Sequence, residues 1–362
     1  MGAFFIVASI ILLIMQVVIG LWFYFVFPQL GWKIPVVLLP VLLTAFIRFT
    51  MAYTRTHYGT LESIAYYAAY ILAGLIFIFF CLVLGFAVLQ LLGSLCRLPV
   101  KPILGPVSVG VFILVTVLSL WGGFRAPKIK HIYLTIPGAP KMTAALISDT
   151  HLGVGVFLNR WQRALTRIEA EQPDVLLVLG DIFEYGQNAG AYARALADLK
   201  TPYGTYGVLG NHEYYMGLGN SVKFYKNAGI TLLQNETAQL PNGVQLIGVN
   251  DIQTASVSSN QLGRLLHQTN PEKPRILLSH QPLLTQTVAL AQIPLMVSGH
   301  THAGQIWPFN YFVKMKYDYV YGLYQLGADS QLYVTSGMFY WGIPLRLFAP
   351  AEIPLIHINA HD

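Results

Sequence analysis

The first third of the chain constrains its fold more than any other feature. Four apolar stretches, near residues 3–27, 34–53, 64–92 and 103–121, are each long enough to cross a bilayer, which takes about 20 residues. The first has no cationic lead and no small-residue cleavage site, so it reads as a span and not as a secretory leader. Arg48 falls inside the second stretch and reads as a side chain that snorkels to the interface. The remaining length is that of an ordinary second domain. The expected organisation is therefore a membrane domain of four transmembrane helices over 1–125, followed by a globular domain over 126–362.

Charge follows the same division. Residues 1–125 hold six cations (Lys33, Arg48, Arg55, Arg97, Lys101 and Arg125) against the single acid Glu62, while the rest of the chain balances sixteen basic against fifteen acidic residues. The surplus thus sits beside membrane spans, as cationic loops do. It is not a basic patch on a folded domain, so nucleic acid is not an expected partner. Four spans put Arg48, Arg55, Arg125, Lys128, Lys130 and Lys141 on one side and Lys33, Arg97 and Lys101 on the other. That asymmetry predicts a multi-pass protein of the cell membrane with its C-terminal domain in the cytoplasm. The two cysteines, Cys81 and Cys96, both lie in the apolar third and read as small packing residues.

Beyond residue 126 the pattern changes to short apolar runs alternating with amphipathic segments. Residues 129–136 and 142–148 read as strands, 159–171 as a helix capped by Asn159, and 174–179 as a buried strand. Helices near 189–199 and 220–228 and strands near 205–209, 244–249, 275–279 and 294–298 follow. Interleaved elements of this kind imply a layered α/β fold.

The residues able to do chemistry stand where the strands stop. "SDTHLG" holds Asp149 and His151, "LGDIFEYG" holds Asp181, "LGNHEYY" holds Asn211 and His212, "LLSHQP" holds His280, and "SGHTHAG" holds His300 and His302. Ligands of open α/β sheets bind beyond the carboxyl ends of strands, so these loops are expected to converge. Asp149, His151, Asp181, Asn211, His280, His300 and His302 make seven oxygen and nitrogen donors without a thiolate, which suit manganese, iron or zinc. They are too many for one tetrahedral ion, and they suit a pair of ions about 3.5–4 Å apart. In the same loops, Glu184 reads as a carboxylate bonded to backbone and Asp251 as a turn residue.

The series "DTH", "GD", "GNHE", "SH" and "GHTH", in this order, resembles the calcineurin-like metallophosphoesterase family over about residues 140–357. The resemblance implies a four-layer αββα sandwich of two mixed sheets. It implies that Asp149, His151 and His302 hold one divalent ion, that Asn211, His280 and His300 hold another, and that Asp181 bridges them. His212 would be no ligand but would face the leaving group. Manganese would be the usual metal, with iron or zinc as alternatives. An extended backbone through Thr301 would turn His300 and His302 to opposite sides, so that each reaches a different ion. The chemistry implied is in-line hydrolysis of a phosphoester or pyrophosphate by a hydroxide bridging the ions.

Two features bear on the substrate. The chain resembles the membrane-associated branch of the family, which includes enzymes of lipid-linked phosphates such as UDP-2,3-diacylglucosamine. The segment 306–324, "IWPFNYFVKMKYDYVYGLY", mixes aromatic residues with Lys314 and Lys316, a composition suited to a membrane interface. Trp307, Lys314, Lys316 and Arg346 are the expected substrate contacts. The expected partners are the bilayer and a lipid-linked phosphate, with no obligate protein partner evident. Two other readings stand beside this one: a membrane sensor or scaffold whose phosphoesterase domain only binds a ligand, and a phosphodiesterase for a soluble nucleotide or phosphoprotein.

Overall fold

A computed structural model of the protein describes residues 2–30, 35–57, 59–184, 186 and 188–359, with the side chains of 2–5, 30 and 35–37 outside that description. Lys33 also lies outside the described residues. The chain divides into two compact units.

The first unit contains helices α1 (Gly2–Val26), α2 (Pro35–Tyr53), α3 (Thr60–Leu95) and α4 (Lys101–Phe124). Three of them, α1, α3 and α4, are long and apolar enough to cross a membrane. The second expected span is a shorter apolar helix, Leu38–Tyr53 in its described part, so among the described residues three helices, not the expected four, are of spanning length. At 1.5 Å per residue α3 is roughly 54 Å long, well beyond the hydrocarbon core of a bilayer. Leu38, Leu42, Phe49, Leu91, Leu95, Ile103 and Ile113 are exposed, as lipid-facing side chains are in the absence of lipid. Gln16 Nε2 donates to Thr44 Oγ1 at 2.7 Å and Trp22 Nε1 to Ser108 Oγ at 3.2 Å.

Two short segments from late in the chain, Ile306–Pro308 and Gly342–Leu347, belong to this helical unit. Ile306, Leu345 and Leu347 bury against Ile78 of α3, and Tyr66 donates to the Gly342 carbonyl at 2.9 Å. Gly122 and Gly123 of α4 meet the backbone of Arg346 and Pro344 so closely that neither site has room for a Cβ. Small residues permit such close approach within membranes, which accounts for the double glycine in "LWGGF".

The second unit contains two mixed six-stranded sheets. The first comprises β1 (Lys128–Leu134), β2 (Met142–Ile147), β3 (Val175–Val178), β4 (Thr205–Gly207), β5 (Thr231–Leu232) and β12 (Glu352–Ile358), in the order β1-β12-β2-β3-β4-β5. The second comprises β6 (Glu236–Gln239), β7 (Gln245–Gly248), β8 (Arg275–Leu278), β9 (Leu295–Ser298), β10 (Gly322–Gln325) and β11 (Gln331–Val334), in the order β10-β11-β9-β8-β7-β6. Runs β2-β3-β4 and β7-β8-β9 are parallel throughout, so the carboxyl ends within each run lie side by side.

Alternate residues of each strand explain the layering. Leu146, Leu177 and Val208 of the first sheet share one buried core with Leu246, Ile276 and Val297 of the second. The opposite face of the second sheet, with Ile247, Leu277 and Met296, packs on α9 (Ser259–Leu266) and α10 (Thr285–Leu290) through Leu262, Leu265 and Val288. Helices α5 (Leu158–Ala170), α6 (Ala189–Asp198), α7 (Asn211–Tyr215) and α8 (Leu218–Asn227) connect the first sheet, and α11 (Phe309–Lys316) follows the ligand-rich loop after β9. This is the expected αββα sandwich of two mixed sheets. Helix α5 starts one residue earlier than expected, and Phe157 holds the cap position. Asn159 therefore lies inside the helix and is not its cap.

Candidate metal centre

Every chemically active residue singled out after a strand does follow one. Asp149 and His151 leave β2, Asp181 leaves β3, Asn211 and His212 leave β4, His280 leaves β8, and His300 and His302 leave β9. Backbone bonds knit these loops together. Asp149 N donates to the Gly180 carbonyl and His151 N to the Asp181 carbonyl, both at 3.1 Å, while Gly299 N donates to the His280 carbonyl at 2.9 Å.

The loops are strained where they carry the donors. Asp149 (φ 54°), His151 (φ 42°), Asp181 (φ 53°), His300 (φ 71°) and His302 (φ 50°) all adopt left-handed backbone, which costs a non-glycine residue about 1–3 kcal/mol and persists only where surrounding bonds enforce it. Thr301, between the histidines, is right-handed helical (φ −78°, ψ −17°). The expectation of an extended spacer is thus corrected: alternation of left- and right-handed residues, not strand pleating, sends His300 and His302 to different places. Gly299 and Gly210 permit the close approach of the loops. A Cβ on Gly299 would collide with Ser148 Oγ and Asp149 Oδ2, and one on Gly210 with Asp181 Oδ1.

Asp149, His151 and His302 form one donor group and Asp181, His280 and His300 another, and a third, His151, Asp181 and His212, overlaps both; in each the donor atoms lie within 4.8 Å of one another. His302 Nε2 is 3.4 Å from Asp149 Oδ1. Asp181 Oδ2 lies between the groups, 3.2 Å from His280 Nε2 and 4.0 Å from His151 Nε2, where a shared carboxylate would stand.

Hydrogen bonds fix which nitrogens are available. His280 Nδ1 bonds the Leu179 carbonyl at 2.7 Å, so Nδ1 is the donor there and Nε2 is the nitrogen turned inward. That Nε2 faces His300 Nδ1 at 3.2 Å. His151 Nδ1 bonds Glu184 Oε1 at 2.7 Å, and its Nε2 faces His302 Nε2 at 3.1 Å. Ring nitrogens turned toward each other at these distances need a proton or a cation between them, and the buried carboxylates beside them favour positive charge there. Asn211 Oδ1 is likewise buried without a hydrogen-bond partner among the described residues. The donor set therefore fits two divalent cations sharing Asp181.

Glu184 and Glu213 matter more than their sequence context suggests. Glu184 Oε1 bonds His151 Nδ1 and also lies 2.9 Å from His212 Nδ1; it does not bond the backbone as expected. Burial opposes its charge, but His151 and His212 hold its pKa down at about 2. Burial works equally against a charge on His212, yet Glu184 and Asp181 outweigh it and lift the imidazole to about 9. His212 is thus cationic at neutral pH, suited to giving a proton to a departing oxygen. Glu213 is buried behind the site, accepting from Asp181 N and Ile182 N at 2.8 Å and from Gly210 N at 2.7 Å. Burial and the neighbouring Asp181 raise its pKa to about 7, against those three donors. The signal in the sequence was the final acid of "GNHE", placed three residues beyond Gly210 as in a capping box.

The expected substrate contacts separate. Lys314 and Lys316 are exposed on α11 in the unit that holds the donors. Trp307 and Arg346 belong to the helical unit, where Trp307 packs on the Ile78 cluster and Arg346 is buried with its backbone N–H bonded to the Ser119 carbonyl. Asp251 is fully buried; its Oδ1 accepts from Thr254 N at 2.8 Å, as a turn residue does.

Comparison with known proteins agrees with this geometry. Residues 142–304 match the calcineurin-like phosphoesterase family. An uncharacterized metallophosphoesterase of Helicobacter pylori is 34% identical over 68% of this chain and 69% of its own length. One of Campylobacter jejuni is 32% identical over 67% of this chain and 66% of its own. A bovine protein described as a transmembrane protein with metallophosphoesterase domain is 30% identical over 73% of this chain and 64% of its own. The chain thus spans about two thirds of the length of these relatives. It belongs to the calcineurin-like metallophosphoesterases, metal-dependent phosphoester hydrolases that use two divalent ions.

Proposed function

We propose that this protein is a membrane-bound phosphohydrolase that cleaves a phosphoester or pyrophosphate of a lipid-linked substrate, of which UDP-2,3-diacylglucosamine is one example. The observation that carries the reading is the convergence of six donors from separate strand ends into two adjacent groups with the Asp181 carboxylate between them. Asp149, His151 and His302 would hold one ion, and His280, His300 and Asn211 the other. Bound there, divalent cations supply charge neutralisation for a phosphoryl oxygen and an activated water; manganese is the metal this donor set favours in our reading, with iron or zinc next.

The chain's own side chains do the rest. His212 donates a proton to the leaving oxygen, and Glu184 keeps both the charge and the orientation of that imidazole. Glu213 ties the backbone of Asp181 to that of Gly210, so the shared carboxylate and the proton donor keep their spacing.

The lipid-linked substrate is supported by the three apolar helices and by α11, whose Phe309, Tyr311, Phe312 and Met315 are exposed beside Lys314 and Lys316. Apolar and cationic side chains mixed in this way suit a phospholipid headgroup layer. With three spans, Arg48, Arg55, Arg125, Lys128, Lys130 and Lys141 fall on the side of the catalytic domain and Arg97 and Lys101 on the other, a surplus that favours a cytoplasmic catalytic domain in the cell membrane. The test is incubation of the purified full-length chain and Mn²⁺ with lipid pyrophosphates and with bis(p-nitrophenyl) phosphate, reading products by mass. Hydrolysis of both, abolished by Asp181→Ala, is expected. Hydrolysis of the soluble diester alone contradicts the lipid substrate, and no hydrolysis of either favours a ligand-binding sensor.

A further inference from the structure

Each histidine that offers one nitrogen to a cation needs a partner for the other, since that partner sets tautomer and ring direction. For His280 it is the Leu179 carbonyl, and for His151 it is Glu184. For His300 it is a phenol: Nε2 lies 2.7 Å from Tyr317 Oη. Tyr317 belongs to none of the motif loops. It directly follows α11, is 5% exposed, and is held by a bond from its backbone N–H to the Val313 carbonyl at 2.9 Å.

The proton on this phenol can be assigned from its neighbours. Gln253 Oε1 lies 3.3 Å from Lys316 Nζ and 3.5 Å from Tyr317 Oη. An ammonium only donates, so the Gln253 atom facing it is the oxygen, which is also open to the Tyr317 hydroxyl hydrogen. With that hydrogen turned to Gln253, the phenol's lone pair faces His300 and His300 Nε2 carries the hydrogen. His300 Nδ1 is left bare, turned toward His280 Nε2 at 3.2 Å. The same segment grips the loop a second time, because Thr301 Oγ1 donates to the Val320 carbonyl at 2.6 Å.

We infer that Tyr317 is a positioning residue for the second cation, holding His300 in the tautomer and direction in which Nδ1 is the ligand, and that segment 309–320 braces the "HTH" loop from outside the motif set. The inference rests on the two-cation reading above. Its consequence is that the affinity of one ion depends on a segment that contributes no ligand, while the other ion, held through Glu184 and Asp149, does not depend on it.

Tyr317→Phe removes one oxygen and keeps the ring. Mn²⁺ titration of the full-length protein in detergent, followed by calorimetry and by the resonance of free Mn²⁺, should resolve two binding steps in the wild type. Loss of an outer partner of a ligating histidine weakens metal binding about 10–100-fold, so one step should weaken by that factor in Tyr317→Phe and the other should keep its wild-type affinity. Gln253→Leu, which leaves the phenol but removes its acceptor, should weaken the same step by less. Tyr203→Phe, whose ring packs against the core between the two sheets, should leave both steps unchanged. Unaltered binding in Tyr317→Phe, or both steps falling together, overturns the inference. A wild-type protein that takes up a single ion overturns the two-cation reading itself, and this inference with it.

Discussion

Glu184 and Gly299 show how much of this site rests on residues that would never bind a metal. Glu184 lies against both a candidate ligand, His151, and the candidate proton donor, His212. His212 is raised to about 9 and donates only when protonated, so activity should fall as pH rises through that value. Glu184→Gln removes one of the three carboxylates, Glu184, Asp181 and Glu213, that outweigh burial. The descending limb of the pH profile of kcat/KM should therefore move to lower pH, with kcat falling about 100-fold or more, the usual scale for losing general acid assistance. An unmoved limb would mean that His212 is not the group titrating. Gly299→Ala should act differently. Its Cβ has no room beside Ser148 and Asp149, so metal content measured by elemental analysis should drop while the ligands remain chemically intact. His280 sets a further pH dependence. Burial opposes its charge, but Asp181 and Asp149 outweigh it and lift it to about 10. A cation entering there displaces that proton, so apparent affinity should rise with pH by about tenfold per unit between pH 6 and 8. Calorimetry in buffers of different ionisation enthalpy should register the released proton.

At the scale of elements, the strand ends were legible and the braces between them were not. Short β-branched and leucine-rich runs closed by glycine or serine and a polar residue marked β2, β3, β8 and β9 together with their ligands, because a buried parallel strand is apolar along its whole length and its chemistry must wait for the loop. Nothing local marks Glu184 as a partner of two histidines, since both contacts depend on how separate loops approach. Tyr317 was hidden for the same reason, in a segment that read as interfacial. The backbone at Thr301 misled because three residues carry no periodicity to distinguish extended from alternating conformations. Glu213 permits a test at this scale. Its carboxylate accepts from three backbone N–H groups, and bonds to charged acceptors contribute about 1.5–3 kcal/mol each. In Glu213→Gln an amide nitrogen must face part of that donor set, so thermal unfolding of the full-length protein should occur several degrees lower and metal content should fall with it. A variant as stable as wild type would show that the three bonds contribute little.

For the molecule as a whole, composition alone separated an apolar third from an ordinary globular remainder. What it could not show is that residues 306–308 and 342–347 belong with the helices, because those segments are too short to carry a membrane signature. Gly122 and Gly123 record that packing, but only once the approaching backbone is known. Three helices of spanning length predict that the chain stays in the membrane fraction after alkaline carbonate washing, and release into the supernatant would contradict them. The central claim is a pair of cations held by the strand-end donors on either side of Asp181. The most direct measurement is an anomalous-difference map from a crystal of the full-length protein grown with Mn²⁺. The account predicts two peaks, one among Asp149, His151 and His302 and one among Asn211, His280 and His300, with the Asp181 carboxylate between them. A single peak, or peaks away from these side chains, would contradict it.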